Sequence, residues 1–395
     1  MTRITGTQVF GLRTPIIREG VNLEQIVVDT LRSASDRGIR LRDGDVVGVT
    51  EAVVARAQGN YATVDQIAKA VRARFASGAV GALFPILSRN RFSILLKGIA
   101  RGADRVIVQL SYPDDEVGNE LVERSRVEEA GLDPRVDVLT EADFRDHFGA
   151  RTPHRFTGVD YIDFYKTLGP NIELILANDP RAIRSYAAQA VVCDIHTRAR
   201  TRKKLEALGG VDVCGLDELL ARPVDGSGCN PQFGLLGSNK AGEERVKLFP
   251  RDGQAFVDSL RRAIAAELGV TMEVLIYGDG GFKDPVGGIW ELADPVICPA
   301  YTKGLEGTPN EIKLKYLADN EFGHLDAPAQ QTAVRKAIRA KNRDLMGKME
   351  SEGTTPRRLT DLLGSLCDLT SGSGDKGTPV VLIQGYFDNF ANEEG

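Results

Sequence analysis

No G-x-x-x-x-G-K-[ST] stretch occurs in the 395 residues, which excludes a P-loop nucleotide site. The five cysteines, Cys193, Cys214, Cys229, Cys298 and Cys367, are odd in number, and none are spaced as C-x-x-C. Neither a disulfide framework nor a zinc site is spelled out, and a reducing cytosol fits such usage. Only four histidines are present, His147, His154, His196 and His324, and none stands in a Cys–His or Ser–His pattern. Structural or surface roles are expected for all four. No apolar run reaches the ~18 residues of a membrane helix. The opening stretch "MTRITGTQVFGLRTPIIREG" lacks a charged start and an apolar core, so it does not read as a signal peptide. A cytoplasmic location is the expectation.

A basic excess is also missing. Fifty Lys and Arg face 55 Asp and Glu, giving a net charge of -5, so no footprint points to nucleic acid. Arginine-rich runs such as "RARTRKKLEALGG" carry acids among the bases and read as solvated helix faces. What is present is a globular balance, 42% hydrophobic and 27% charged, over a length that suits two or three domains.

"TQVFGL" reads as a strand and "LEQIVVDTLRSASDRG" as a helix closed by Gly38. "GDVVGVT" follows a D-G turn as a buried strand, and residues 62 to 101 look largely helical. Residues 120 to 230 alternate short strands ("NIELILAND", "AQAVVCDIH", "GVDVCGL") with helices, an α/β rhythm. Farther on, "MEVLIY" and "TPVVLIQGYF" are buried strands and "TAVRKAIRAKNRDLMGKMESEG" is a charged helix. The expected organisation is residues 1–100, an α/β middle segment 101–231, and residues 232–395.

Three segments carry candidate chemistry. After "VLIY", the loop "GDGGFKDPVGG" brings Asp279 and Asp284 among five glycines, a pattern suited to Mg2+ or Mn2+ with phosphate, although a plain surface turn has the same composition. "SGSGDKG" lies between a helix and an apolar strand, where backbone N–H groups can face phosphate. "LADPVICPAYTKGLEGTPNEIKLK" has the density of a functional loop, with Lys303, Lys313 and Lys315 able to meet phosphate or a carboxylate, or simply solvent. The acidic strand end in "VVCDIHTRARTRKKLEALGG" fits a dinucleotide-binding redox protein, but no G-x-G-x-x-G turn accompanies it.

Together these pieces resemble the gamma-glutamyl ligase family of coenzyme F-420. The resemblance rests on "VFGLRTPIIREGVNLEQI", "GDVVGVTEAVVARAQGN", "LLGSNKAGEERVKLFPRD", "VLIYGDGG" and "LTDLLGSLCDLTSGSGDKGTPVVLIQG". Arg56, Gln58 and Gly59 stand at the family's lysine, glutamate and glycine. Glu244, with Glu243 or Asn239 as neighbours, stands near a metal-binding aspartate, and Gly280 and Ser373 replace a threonine and a glutamine. The resemblance covers residues 8 to 60 and 232 to 386 and marks a divergent, long-chain branch.

It implies an α+β fold with mixed sheets and the extra α/β-like middle segment. It further implies a homodimer acting on small molecules, with neither nucleic acid nor membrane as partner. The implied activity joins L-glutamate to a carboxylate of an F-420 precursor through an acyl phosphate, with GTP or ATP, Mg2+ or Mn2+, and K+ as a further ion. A folate or another carboxylated acceptor is the alternative. The implied nucleotide contacts are Thr14, Pro15, Ile16, Glu51, Arg56, Lys247, Ser371, Gly372, Ser373, Gly374 and Asp375. Glu244, Asp279, Gly280, Ser373 and Asp284 would surround the metal, with Asp375 in reserve. Asp279 and Lys303 are the implied catalytic residues.

Overall fold

In the computed structural model, residues 5–278, 298–354, 357–371 and 374–392 are described. They form an α+β fold on three sheets. The first has the order β1 (Gln8–Leu12), β14 (Val380–Gln384), β2 (Val46–Thr50), β12 (Glu273–Tyr277) and β13 (Ala300–Tyr301). Only the β2–β12 pair is parallel, so the sheet is mixed.

Its central strands read as unbroken apolar runs because both faces are covered. Val47, Val49, Val274, Ile276, Val380 and Leu382 face one core with helices α1 (Leu23–Asp36) and α9 (Gly253–Leu268). The alternate residues Val46, Leu275, Tyr277, Val381 and Ile383 pack on Leu359, Leu363 and Cys367 of α12 (Leu359–Ser371). Gly48 lets α12 approach, since a Cβ there would lie 2.3 Å from the Cys367 sulfur. Helix α1 starts at Asn22, whose side chain accepts from the Gln25 amide, and ends before Gly38 at φ +97°.

The second sheet has the order β6 (Leu139–Thr140), β7 (Ile172–Leu176), β5 (Arg105–Leu110), β4 (Ala79–Leu83), β8 (Gln189–Val192) and β9 (Asp212–Gly215). All its pairs are parallel except β6–β7. Helix α4 (Phe92–Gly102) links β4 to β5, and α8 (Arg198–Leu208) links β8 to β9. The longer passage from β5 to β7 carries α5 (Arg124–Glu129), α6 (Glu141–Phe148) and α7 (Tyr161–Lys166). Strand β4 interrupts the stretch expected to be largely helical. Its run "AVGAL" carries a glycine at its centre because Ile183 packs against Gly81, where a Cβ would sit 2.5 Å from Ile183 Cγ1. Helix α3 (Val64–Arg74) lies against α4 in the same core.

The third sheet is small, with β10 (Asn239–Gly242), β11 (Arg245–Lys247) and β3 (Tyr61–Thr63). It follows α2 (Glu51–Ala57), which leaves the end of β2. Near the C-terminus, α10 (Leu314–Tyr316) and α11 (Ala327–Ala340) precede α12. The charged helix expected from Thr332 onward starts five residues earlier, capped by Asp326 on the Ala329 amide, and stops at Ala340. No described helix is long and apolar enough to cross a membrane.

Candidate active site

Strand direction brings most of the candidate segments to one end of the five-stranded sheet. Strands β2 and β12 run parallel with Thr50 opposite Tyr277, so Glu51 and the chain beyond Tyr277 leave from the same edge. Strand β14 runs the other way and enters there: Val380 faces Val49, and the Thr50 amide donates to Pro379 O at 3.0 Å. Strand β1 ends there too, with Leu12 opposite Val380, and the Thr14 amide reaches Gly377 O at 3.3 Å. The Thr378 hydroxyl donates to Ser371 O at 2.6 Å. Thr14 and Pro15, Glu51, and Ser371 with Gly374 and Asp375 are thus gathered by topology, followed by Ile16 with its side chain 83% exposed. Asp279, Gly280, Asp284, Gly372 and Ser373 lie outside the described residues.

A cleft of ≈ 490 Å³ opens beside this end, lined by Arg18, Glu19, Ala52, Val53, Arg56, Tyr61, Lys240, Ala241, Arg245 and Lys247. Its volume suits a drug-sized ligand. Alternation builds one wall: Val246 is fully buried in the core, which turns Arg245 and Lys247 to the other face of β11. The Arg245 guanidinium lies 3.7 Å from the Tyr61 ring centre and 3.5 Å from a Glu19 oxygen. Lys247 Nζ meets both oxygens of buried Glu51, each at 2.5 Å. Arg18, Lys240, Tyr61 and Arg245 were absent from the sequence candidates. The available signal was the basic–apolar–basic alternation of "RVK" after a hairpin-like "KAGEE".

Two candidates are not gathered here. Strand β13 is antiparallel to β12, with Tyr301 opposite Leu275 and the Thr302 amide on Val274 O, so Lys303 emerges at the opposite end of the sheet. Glu244 sits in the β10–β11 turn, where its carboxylate is held by Lys97 and, at 2.7 Å, by Arg101. Those hydrogen bonds push its pKa below the usual glutamate range. Glu243 pairs with Lys240 at 2.6 Å. Among the described residues no group of three or more His, Cys, Asp or Glu is placed to hold a metal ion. Glu244, the expected metal residue among the described ones, is committed to Lys97 and Arg101, while Asp375, held in reserve, is exposed. The described residues alone therefore do not make up a metal site. Of the histidines, His154 is buried, and burial lowers its pKa. His147, His196 and His324 are exposed.

The second sheet bears on the dinucleotide alternative. Its parallel strands run β7-β5-β4-β8-β9, so the direction of winding reverses between β4 and β8. Open sheets of this kind bind ligands at the carboxyl ends of such strands. Here the loop after β5 fills that place. The Leu87 amide donates to Asp115 at 2.9 Å, while the amides of Ile195, His196 and Thr197 donate to Glu116 at 2.5, 3.1 and 3.3 Å. Fully buried Asp194 lies beyond, its Oδ2 accepting from the hydroxyls of Thr197 and Thr201. A pyrophosphate would have to displace one carboxylate and approach another.

Asp115 also makes a pH prediction. Desolvation raises its pKa to about 6, against the stabilising amides of Leu87, Val117 and Asn119 and the Asn119 side chain. The folded chain therefore takes up this proton at higher pH than the unfolded chain. Asp115 should add stability as pH falls through about 6 toward 4, opposite to a salt-bridged carboxylate. Urea denaturation at pH 7 and pH 5 should show this gain in the wild type relative to Asp115→Asn. An identical pH response in both proteins would refute it.

The model of one family, described as F420-0:Gamma-glutamyl ligase, matches residues 11–385. No curated protein matches the chain.

Proposed function

The chain belongs to the F420-0:gamma-glutamyl ligase family, and from that premise we propose that it joins L-glutamate to a carboxylate of an F-420 precursor at the expense of a nucleoside triphosphate, GTP in preference to ATP. The observation that carries this reading is the convergence of Thr14, Glu51, Ser371 and Asp375 at the sheet end beside a cleft rich in Arg and Lys. A polyphosphate and a carboxylated acceptor are both anions, and such a cleft concentrates them.

Amide formation from a carboxylate needs a better leaving group. In the proposed sequence an acceptor carboxylate oxygen attacks the γ-phosphorus, and the bond to the β-phosphate bridging oxygen breaks. Nucleoside diphosphate leaves and an acyl phosphate remains. The glutamate amine then attacks the acyl carbon, phosphate departs with its oxygen, and the amine releases a proton. No protein nucleophile is required. The chain's task is to hold the reactants in line and balance their charge.

Arg56 and Lys247 on the cleft wall supply positive charge, and the main-chain turn at Gly374–Lys376 lies at the same sheet end. Family membership also supports a homodimer. The expected result with F-420 precursor, glutamate and GTP is a product heavier by one glutamyl unit. Tetrahydrofolate in place of the precursor tests the acceptor, and ATP in place of GTP tests the base. Consumption of neither nucleotide with either acceptor would refute the reading.

A further inference from the structure

Beside a polyphosphate, a buried ammonium can do part of the electrostatic work of a divalent ion. Lys247 is 8% exposed and Glu51 2%, so this pair is held away from bulk water although Lys247 lines the cleft. An ammonium has three N–H donors. Glu51 accepts two of them, one on each oxygen, and no other described residue takes the third. The pair also lies at the sheet end where Thr14, Ser371 and Asp375 are found, because Glu51 directly follows Thr50.

We propose that Lys247 is a built-in cation of the phosphate subsite, binding polyphosphate without a divalent ion, and that Glu51 is its positioning residue. This deepens the ligase reading and rests on it only in naming the polyphosphate as part of a nucleotide.

The charges around the pair agree. Lys240 is matched by Glu243, Arg245 by Glu19, and Lys247 by Glu51. Arg18 and Arg56 line the same cleft and have no carboxylate partner among the described residues. The cleft is therefore net positive with no metal added, and its deepest donor is already oriented. Glu51 fixes that orientation with both oxygens. A carboxylate so engaged is not an open metal ligand.

A rival account makes the pair a staple between α2 and β11. Replacing both partners with apolar residues separates the two, because a buried ion pair exchanged for well-packed hydrophobic side chains commonly keeps its stability. Inorganic tripolyphosphate in EDTA is the probe, followed by calorimetry on the full chain. The wild type should bind, and Lys247→Met/Glu51→Met should bind at least roughly tenfold more weakly while melting as a folded protein. If the double variant misfolds, Lys247→Arg and Lys247→Met are compared: arginine should retain binding that methionine loses.

Glu51→Gln keeps the ammonium but loosens its aim. It should lower kcat for nucleotide turnover more than it raises the nucleotide KM, a split that a staple would not produce. The inference falls if wild-type binding requires Mn2+, if the double variant binds like the wild type, or if methionine serves as well as arginine. If tripolyphosphate binds as expected yet no nucleotide is turned over, the ligase reading fails and the role of Lys247 stands.

Discussion

Asn60→Ala is expected to lower the unfolding free energy by about 3 kcal/mol or more, a large share of a typical domain's stability. Asn60 is fully buried and its amide is saturated. Nδ2 donates to Cys229 O at 2.9 Å and Phe249 O at 2.6 Å, and Oδ1 accepts from the Cys229 amide at 3.0 Å. Its main chain adds a bond on each side, to Ala55 O and from the Leu248 amide.

One side chain therefore ties the exit of α2 to the segments on either side of the small sheet. Alanine leaves the Cys229 N–H and carbonyl without a partner and Phe249 O with only the 3.4 Å bond from Asn230 Nδ2, and a dry site makes each loss costly. Room for a replacement water is short, since a Cβ at Gly228 would already lie 2.3 Å from Asn60 Oδ1. Urea denaturation of the variant measures the effect, and a loss below about 1 kcal/mol would contradict it. Because Leu248 follows Lys247, the cleft wall should loosen as well, seen as weaker tripolyphosphate binding.

Four of the five strands of the first sheet were legible in the sequence, β13 excepted, whereas their neighbours were not. "VVGVT", "EVLIY" and "VVLIQ" are apolar at nearly every position because helices cover both faces, and that pattern survives in a single sequence. Nothing local reveals that β14 inserts between β1 and β2, a pairing across more than three hundred positions. The same limit explains Lys303. Its loop has a functional composition, but only the antiparallel pairing of β13 shows that it exits at the far end. Strand β4 escaped because its central Gly81 serves Ile183 rather than strand propensity. Lys247 was within reach as a charged residue, yet its burial beside Glu51 depends on a contact between positions 196 apart in the chain. The sequence carried the chemistry of the loops, and strand direction decided which of them meet.

Asp279→Asn should lower turnover by at least about 100-fold, whereas Glu244→Gln should act mainly on stability. The two residues were candidates for the same task, and only Glu244 lies among the described residues. Glu244 is already neutralised by Lys97 and Arg101, and both pairs are partly exposed, so removing its charge costs modest stability and frees two cations away from the β12 exit. Asp279 lies outside the described residues, but β12 stops at Tyr277 directly opposite Thr50, two positions before it. With Glu244 committed to cations, Asp279, Asp284 and, in reserve, Asp375 are the carboxylates of the sequence reading left to meet a divalent ion. Asparagine preserves the shape of Asp279 and removes its charge, so the change isolates electrostatics from packing. Turnover measured across a Mn2+ titration should drop for Asp279→Asn at every concentration, with the melting temperature close to that of the wild type. Glu244→Gln should show the reverse, a lower melting temperature and turnover within a few-fold of wild type. A Glu244→Gln variant that melts normally but has lost its activity would move the acidic centre of the site to the β10–β11 turn. In that case the pairs with Lys97 and Arg101 would have to open during the reaction.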